Sequence, residues 1–513
     1  MSASVSTNVS QGAGFTGERK KQVIGLVTGL AGLLFTMIVP APSDLAPLAW
    51  KTIGISFLMA IWWMFEAVPI AVTALAPLVL FPAFGVMTAK EVAPNYAQDL
   101  IWLFVGGFAL AYAMETWNLH RRISLLVLKF CGTNPKMLLL GFLVSTGFLS
   151  AWMSNTACAA LMMPIGLAII KMVRESEGGT EAEKKAATNF GICVMLGIAF
   201  SASIGGMATL IGTPPNAVMA GQVAKMTGSA VPFSKFMMVG APISLVMMGT
   251  CWWVLPLMFP IRDLNLAQAG AVVDHELEQL GPMSKGEKLT FALFVFTASF
   301  WMLRPQILGL FPPFVMGEKT LAVSKVVSDS TVGMLALLLC FLIPVDFKKG
   351  RMLLDSSLFT KGIPWDAILL FGGGFALGAG LDHSGVSKFI AGHMEALRGM
   401  SPVMVMAIMA TVVMLLTQMT SNTAVAATFV PLGISMAQGL GYPPLLIAIP
   451  VALGASLAFA LPVATPPNAI VFGSGIIRIP DMFKAGMVLN CIGIVVTIVM
   501  MYIFMPIAFG MRL

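Results

Sequence analysis

The sequence predicts an all-α polytopic membrane protein built from two related halves. Only 10% of its 513 residues are charged and 58% are hydrophobic, with a mean hydropathy of +0.90, whereas soluble globular chains carry about 25% charged residues. The polar tetrad Ser-Asn-Thr-Ala occurs twice, at 154–157 and 421–424, each time within an apolar stretch free of charge. Each copy is followed by Thr-Pro-Pro-Asn, at 213–216 and 465–468. Helix-breaking polar groups are costly at membrane depth, where the backbone finds no water, and persist where they line a cavity.

The elements follow in order. The chain is polar up to Gly17, then Glu18, Arg19, Lys20 and Lys21 precede an apolar run. That run is too long for most signal-peptide cores and is read as a first spanning helix with a cytoplasmic tail of residues 1–21. Apolar windows of roughly 20 residues predict spans at 22–40, 51–66, 67–84, 99–117, 187–223, 235–259, 288–311, 328–345, 365–382, 443–472 and 484–509. Residues 137–170 and about 401–437 do not fit as single crossings. A helix of 34 residues would be about 51 Å long, against a hydrocarbon core of about 30 Å. Each stretch is therefore expected to be a re-entrant helical hairpin with its Ser-Asn tip at mid-depth. The expectation is about eleven transmembrane helices plus two hairpins, the over-long spans at 187–223 and 443–472 being broken helices.

Charge supports an orientation. With the N-terminus in the cytoplasm, 20 of the 30 basic residues fall on the cytoplasmic side, among them Lys136, Arg174, Arg262, Lys348 and Arg478, as the positive-inside bias requires. The C-terminus is then outside. The net charge of +7 is explained by these loops, so no nucleic-acid partner is expected. Six scattered cysteines show no paired spacing and are read as small apolar residues.

The repeat extends beyond the tetrads. Residues 103–110 and 370–377 match at seven of eight positions, 267 apart, the spacing that also separates Ser154 from Ser421 and Asp99 from Asp366. The Thr-Pro-Pro-Asn elements lie 252 apart; the missing 15 residues correspond to the charged segment between Arg174 and Lys185. The first hairpin is entered next to Lys136 on the cytoplasmic side and the second from outside after Arg398, which implies an inverted repeat around one central site. Asp99 and Asp366 open matched spans and are expected to be N-caps. The glycines at 106–107 and 372–374 are read as helix-packing positions. His275 lies in a charged loop and is read as a solvated residue; Glu115 and Asp382, near helix ends, are read as structural.

Residues 186–224 and 399–477 contain no Asp, Glu, Lys or Arg. A neutral site must bind through hydroxyls, amides and backbone. Exposed N–H groups at helix starts suit carboxylate-like anions, and hydroxyl, amide and carbonyl oxygens suit a hard cation. Both sets together suit co-transport of an anion with cations. A buried Ser could serve an intramembrane hydrolase, but no base lies in the surrounding sequence; the inverted repeat favours alternating access over a channel. The chain is not expected to be an enzyme.

The duplicated Ser-Asn-Thr, each followed by Thr-Pro-Pro-Asn, resembles the divalent anion/sodium symporter family over essentially the whole chain after about residue 20. The resemblance implies a homodimer in the inner membrane, in contact with lipid, whose scaffold carries a transport domain that moves by an elevator-like shift. It divides the chain into scaffold helices at 22–135 and 288–399, transport-domain halves at 136–260 and 400–513, and a cytoplasmic loop at 261–287. It implies two or more sodium ions, one at Ser150, Ser154, Asn155 and the Gly212 carbonyl, another at Thr417, Asn422 and the backbone of Thr420 and Ala464. Substrate carboxylates would meet Ser154, Asn155, Thr156, Thr213, Ser421, Asn422, Thr423 and Thr465. The implied activity is sodium-coupled import of a C4-dicarboxylate such as succinate, malate or fumarate, with sodium-independent exchange, or carriage of sulfate or citrate, as alternatives.

Overall fold

A computed structural model describes residues 11–176, 181–261, 264, 266, 269–316, 319–393 and 399–511; Arg262, Arg398 and the first ten residues of the tail lie outside them. The described chain is predominantly helical, and its strands are confined to two short antiparallel ribbons, Phe314–Met316 with Lys319–Leu321 and Pro344–Asp346 with Arg351–Met352. Among the described residues, nine helices are long and apolar enough to cross a membrane. The protein is an all-α, multi-pass membrane protein.

The two over-long stretches form helical hairpins. In the first, Pro135–Ser150 and Asn155–Ser176 are separated by residues 151–154; in the second, Pro402–Thr417 and Asn422–Leu440 are separated by residues 418–421. Both arms of the first pack on the helix Glu181–Gly206, and both arms of the second pack on Leu445–Ser456. The starts are set locally: Asn134 and Ser401 cap the first arms and a proline follows each cap, where its missing N–H is harmless.

Each supporting helix then breaks. Glu181–Gly206 gives way to a non-helical linker before Pro214–Thr227, and Leu445–Ser456 to a linker before Pro466–Phe472. The proline pair cannot continue a preceding helix but suits the start of a new one. The halves interlock reciprocally. Pro214–Thr227 packs on Asn422–Leu440 and Leu445–Ser456, while Pro466–Phe472 packs on Asn155–Ser176 and Glu181–Gly206. Phe200 and Phe459 meet at the crossing, ring centroids 5.2 Å apart.

Several sequence expectations are corrected. Residues 67–84 are not one helix but Ile70–Ala74 and Ala76–Ala83, divided at Leu75, because Pro77 has no N–H to carry the ladder across. Residues 261–287 are not wholly a loop: Ala269–Leu280 is a helix lying against a second short helix, Leu119–Cys131, with ion pairs Arg121–Glu276 and Lys129–Asp274 between them. Asp99 and Asp366 are first-turn residues rather than N-caps, the cap positions being Gln98 and Pro364. The Asp99 carboxylate instead accepts from Ser328 and Ser330 at the start of Asp329–Leu342, an interaction between helices that no local pattern announces. Glu115 and Asp382 do sit at helix ends, and His275 bonds Gln279 one turn away.

Candidate functional site

All four polar motifs stand at helix starts. Ser154 and Ser421 immediately precede the second hairpin arms, and Thr213 and Thr465 are N-cap residues of the half-helices that follow the breaks. The first intrahelical bonds of the two arms are equivalent, Cys158 N–H to the Ser154 carbonyl at 3.1 Å and Val425 N–H to the Ser421 carbonyl at 3.0 Å. The preceding N–H groups of each arm have no acceptor within the helix, and the positive end of the helix dipole lies there.

Below each tip is a knot of buried oxygens. Ser150, fully buried, lies 2.6 Å from the Ala202 carbonyl and 2.6 Å from the terminal amide of Asn155. One hydroxyl proton cannot serve both. Given to Ala202, it leaves the Asn155 nitrogen turned inward, donating to Ser150 Oγ at 2.6 Å, to the Gly212 carbonyl at 3.1 Å and to the Ala202 carbonyl at 3.2 Å. Three oxygens from three separate elements thus converge on the Asn155 amide nitrogen. The second half repeats the two contacts of the hydroxyl: Thr417 Oγ1, also fully buried, lies 2.6 Å from Asn422 Oδ1 and 2.9 Å from the Ala455 carbonyl.

The linkers are shaped by the last residue of each Thr-Pro-Pro-Asn. Asn216 Nδ2 donates to the carbonyls of Gly206 (3.3 Å) and Thr209 (2.8 Å), and Asn468 Nδ2 to those of Ala458 and Leu461 (both 2.9 Å). Thr209 ties the first linker to the tip by donating to the Ala151 carbonyl at 2.5 Å. Gln418 does the same in the second, donating to Leu457 at 2.7 Å and accepting from Ala460 N–H at 3.0 Å. Glycines let neighbouring backbone come close. A Cβ at Gly240 would lie 2.5 Å from the Met207 carbonyl oxygen, and one at Gly486 2.3 Å from that of Phe459.

Residues 20–510 match the family model described as "Sodium:sulfate symporter transmembrane region". The chain belongs to the divalent anion/sodium symporter family. It is 37% identical over 494 residues to the sodium-dependent dicarboxylate transporter SdcS of Staphylococcus aureus strain MRSA252, covering 95% of this chain and 92% of that protein. SdcS of strain NCTC 8325 gives the same identity and coverage. Among solved structures, that of Neisseria gonorrhoeae MtrF is similar with a TM-score of 0.54 at 12% identity, over 94% of this chain and 93% of that one; this likeness concerns the fold alone. As a member of the symporter family the chain is a transporter, not an enzyme.

Of the residues expected for the first ion, the structure gathers Ser150, Asn155 and Gly212 at one point, while Ser154 is exposed at the tip. For the second it gathers Thr417 and Asn422; Thr420 bonds back to the Leu416 carbonyl at 3.0 Å and Ala464 is buried in the linker. Of the expected substrate residues, Thr156 is exposed, Ser421 and Thr423 are half-buried, and Thr213 and Thr465 are buried. Sequence reasoning missed Ala202 and Ala455, because a carbonyl contact leaves no side-chain signature. It also left Asn216 and Asn468 without a role, although their 252-residue spacing carried the signal.

Proposed function

We propose that this symporter-family chain imports C4-dicarboxylates such as succinate, malate and fumarate, driven by sodium ions moving down their gradient. The observation that carries the reading is the pair of buried oxygen knots, Ser150–Asn155–Ala202–Gly212 and Thr417–Asn422–Ala455, in stretches with no charged side chain. The name of the S. aureus relative, a sodium-dependent dicarboxylate transporter, supports both the ion and the substrate class.

The chemistry follows from neutrality. With the Asn155 amide turned to present its oxygen, the hydroxyl, amide and backbone oxygens fit a hard monovalent cation. With two or more sodium ions seated in the knots, their charge takes the part that a fixed Lys or Arg would play. The substrate carboxylates are then held by Ser154, Asn155, Thr156 and Thr213 from one half and by Ser421, Asn422, Thr423 and Thr465 from the other. The helix starts at the two Ser-Asn-Thr tips add N–H donors, while the Thr-Pro-Pro-Asn starts offer the Thr213 and Thr465 hydroxyls, their two prolines having no N–H. When sodium leaves, the anion loses its counter-charge, which couples the two movements. Ser154 and the backbone of Thr420 and Ala464 complete the ion sites in this scheme.

The two halves are read as an inverted repeat, their hairpins entering from opposite faces of the inner membrane, with the N-terminus in the cytoplasm and the C-terminus outside. Residues 136–260 and 400–513 form the transport domain and residues 22–135 and 288–399 the scaffold, which dimerises and stays fixed while the transport domain shifts. The deciding experiment is uptake of labelled succinate into proteoliposomes with and without an inward sodium gradient. Uptake should collapse when choline replaces sodium. Unchanged uptake in choline overturns symport, and uptake that requires internal dicarboxylate identifies an exchanger.

A further inference from the structure

The helix Asn155–Ser176 exposes Thr156, Ala160 and Pro164. Residues four apart lie on one face about 6 Å apart along the axis, so an open stripe runs from the candidate substrate motif along the arm. One turn beyond Thr156 this stripe forms a wall of a cavity of about 380 Å³, whose opposite wall carries Asn118, Arg121 and Glu276. The arm has no charged residue from 137 to 170, so the charge of the cavity comes from the Arg121–Glu276 ion pair. The side chains of that pair remain 31% and 23% exposed. The equivalents of Ala160 and Pro164 in the other hairpin, Ala427 and Pro431, are buried, so that face is closed.

We propose that Arg121 forms an access site for dicarboxylate at the mouth of the cavity beside the first hairpin, with Glu276 as an internal competitor for the same guanidinium. The proposal rests on the functional reading above. Arginine matches a carboxylate with a planar fork of donors, and a glutamate already seated there keeps the site from holding the dianion too long. A carboxylate leaving Thr156 meets Arg121 as the cation of the cavity wall, displaces the Glu276 carboxylate, and is released when Glu276 returns. The other basic residues of Leu119–Cys131 are engaged elsewhere, Arg122 with Glu287 at 2.6 Å and Lys129 with Asp274 at 2.7 Å, and neither lines the cavity.

A simple clamp between Leu119–Cys131 and Ala269–Leu280 predicts something different, which makes the test sharp. The KM for succinate is measured separately on each face of oriented proteoliposomes, at saturating sodium. Arg121→Gln should raise KM several-fold on the cavity face and Glu276→Gln should lower it. Neither should change KM on the opposite face or the sodium dependence. Shifts in the same direction for both variants, as expected also for the control Lys129→Gln, identify a clamp and overturn the proposal, as does an unchanged KM in both. Should Arg121→Gln fail to fold, Glu276→Gln decides alone, since a clamp cannot lower KM when broken. A wild-type protein that carries no dicarboxylate overturns both this proposal and the functional reading; wild-type transport without opposed shifts overturns this one only.

Discussion

Asn216 and Asn468 make the same bonds in the two halves: each donates from Nδ2 to the carbonyls ten and seven residues before it, all within 2.8–3.3 Å. Both residues are fully buried. Each amide thus bridges from a new helix start back across its linker, and holds in a bent path the segment that ends at Thr213 or Thr465. The side-chain oxygen of each has no hydrogen-bond partner among the described residues, so the donating nitrogen is what secures each residue.

Asn216→Ala should orphan the buried carbonyls of Gly206 and Thr209, and Asn468→Ala that of Ala458, at about 1–3 kcal/mol per group left unpaired; the Leu461 carbonyl keeps its bond from Ala464 N–H at 3.1 Å. The thermal midpoint in detergent should fall in both. Because the first linker also supplies the Gly212 carbonyl, Asn216→Ala should further raise the sodium concentration for half-maximal uptake, leaving the succinate KM at saturating sodium close to wild type. A sodium dependence equal to wild type in a folded Asn216→Ala would show that the amide braces the fold without shaping the ion site.

Asn155→Ala and Asn422→Ala remove the amide of each oxygen knot. Sodium should raise the thermal midpoint of the wild type relative to choline, since a ligand at about 100 times its Kd stabilises by about 2.7 kcal/mol. Each variant should lose much of that gain while still expressing. A full sodium shift in both variants would refute the assignment of these asparagines to the ion sites.

Gly205→Ala tests the seat of the first hairpin on its supporting helix. The added Cβ would lie 2.1 Å from the Gly147 carbonyl oxygen and 2.5 Å from its Cα, so one helix must shift. Overpacking of this kind typically costs about 1–3 kcal/mol, and backbone cannot rotate aside as a side chain can. Yield and thermal midpoint should drop, whereas Gly249→Ala, with nothing within 4 Å of its Cβ, should behave as wild type. Equal stability of the two variants would show that the hairpin moves off its support freely.

The candidate site was legible as far as its motifs go, because polar residues are conspicuous in apolar surroundings. Ser154-Asn155-Thr156 and Ser421-Asn422-Thr423 stand out where any polar group needs a reason, and repetition at 267 residues located both tips. The breaks before Pro214 and Pro466 followed from proline chemistry. Other features were hidden for physical reasons. The helix Ala269–Leu280 carries several charges, a composition that reads as loop, and its ion-pair partners on Leu119–Cys131 lie far away in sequence. Asp99 looked like a cap because caps are judged from neighbours in sequence, yet its partners Ser328 and Ser330 lie 229 and 231 residues away.

The sequence by itself determined the class, the duplication, the helix breaks and the neutrality of the site. These depend on composition, on spacing and on proline, all of which are local. Only the tertiary structure decided which atoms share a point. It brought the carbonyls of Ala202 and Gly212 to Ser150 and Asn155, and crossed the two halves so that each half-helix packs on the other's hairpin. Backbone oxygens carry no residue identity, and their convergence exists only once separate helices have packed.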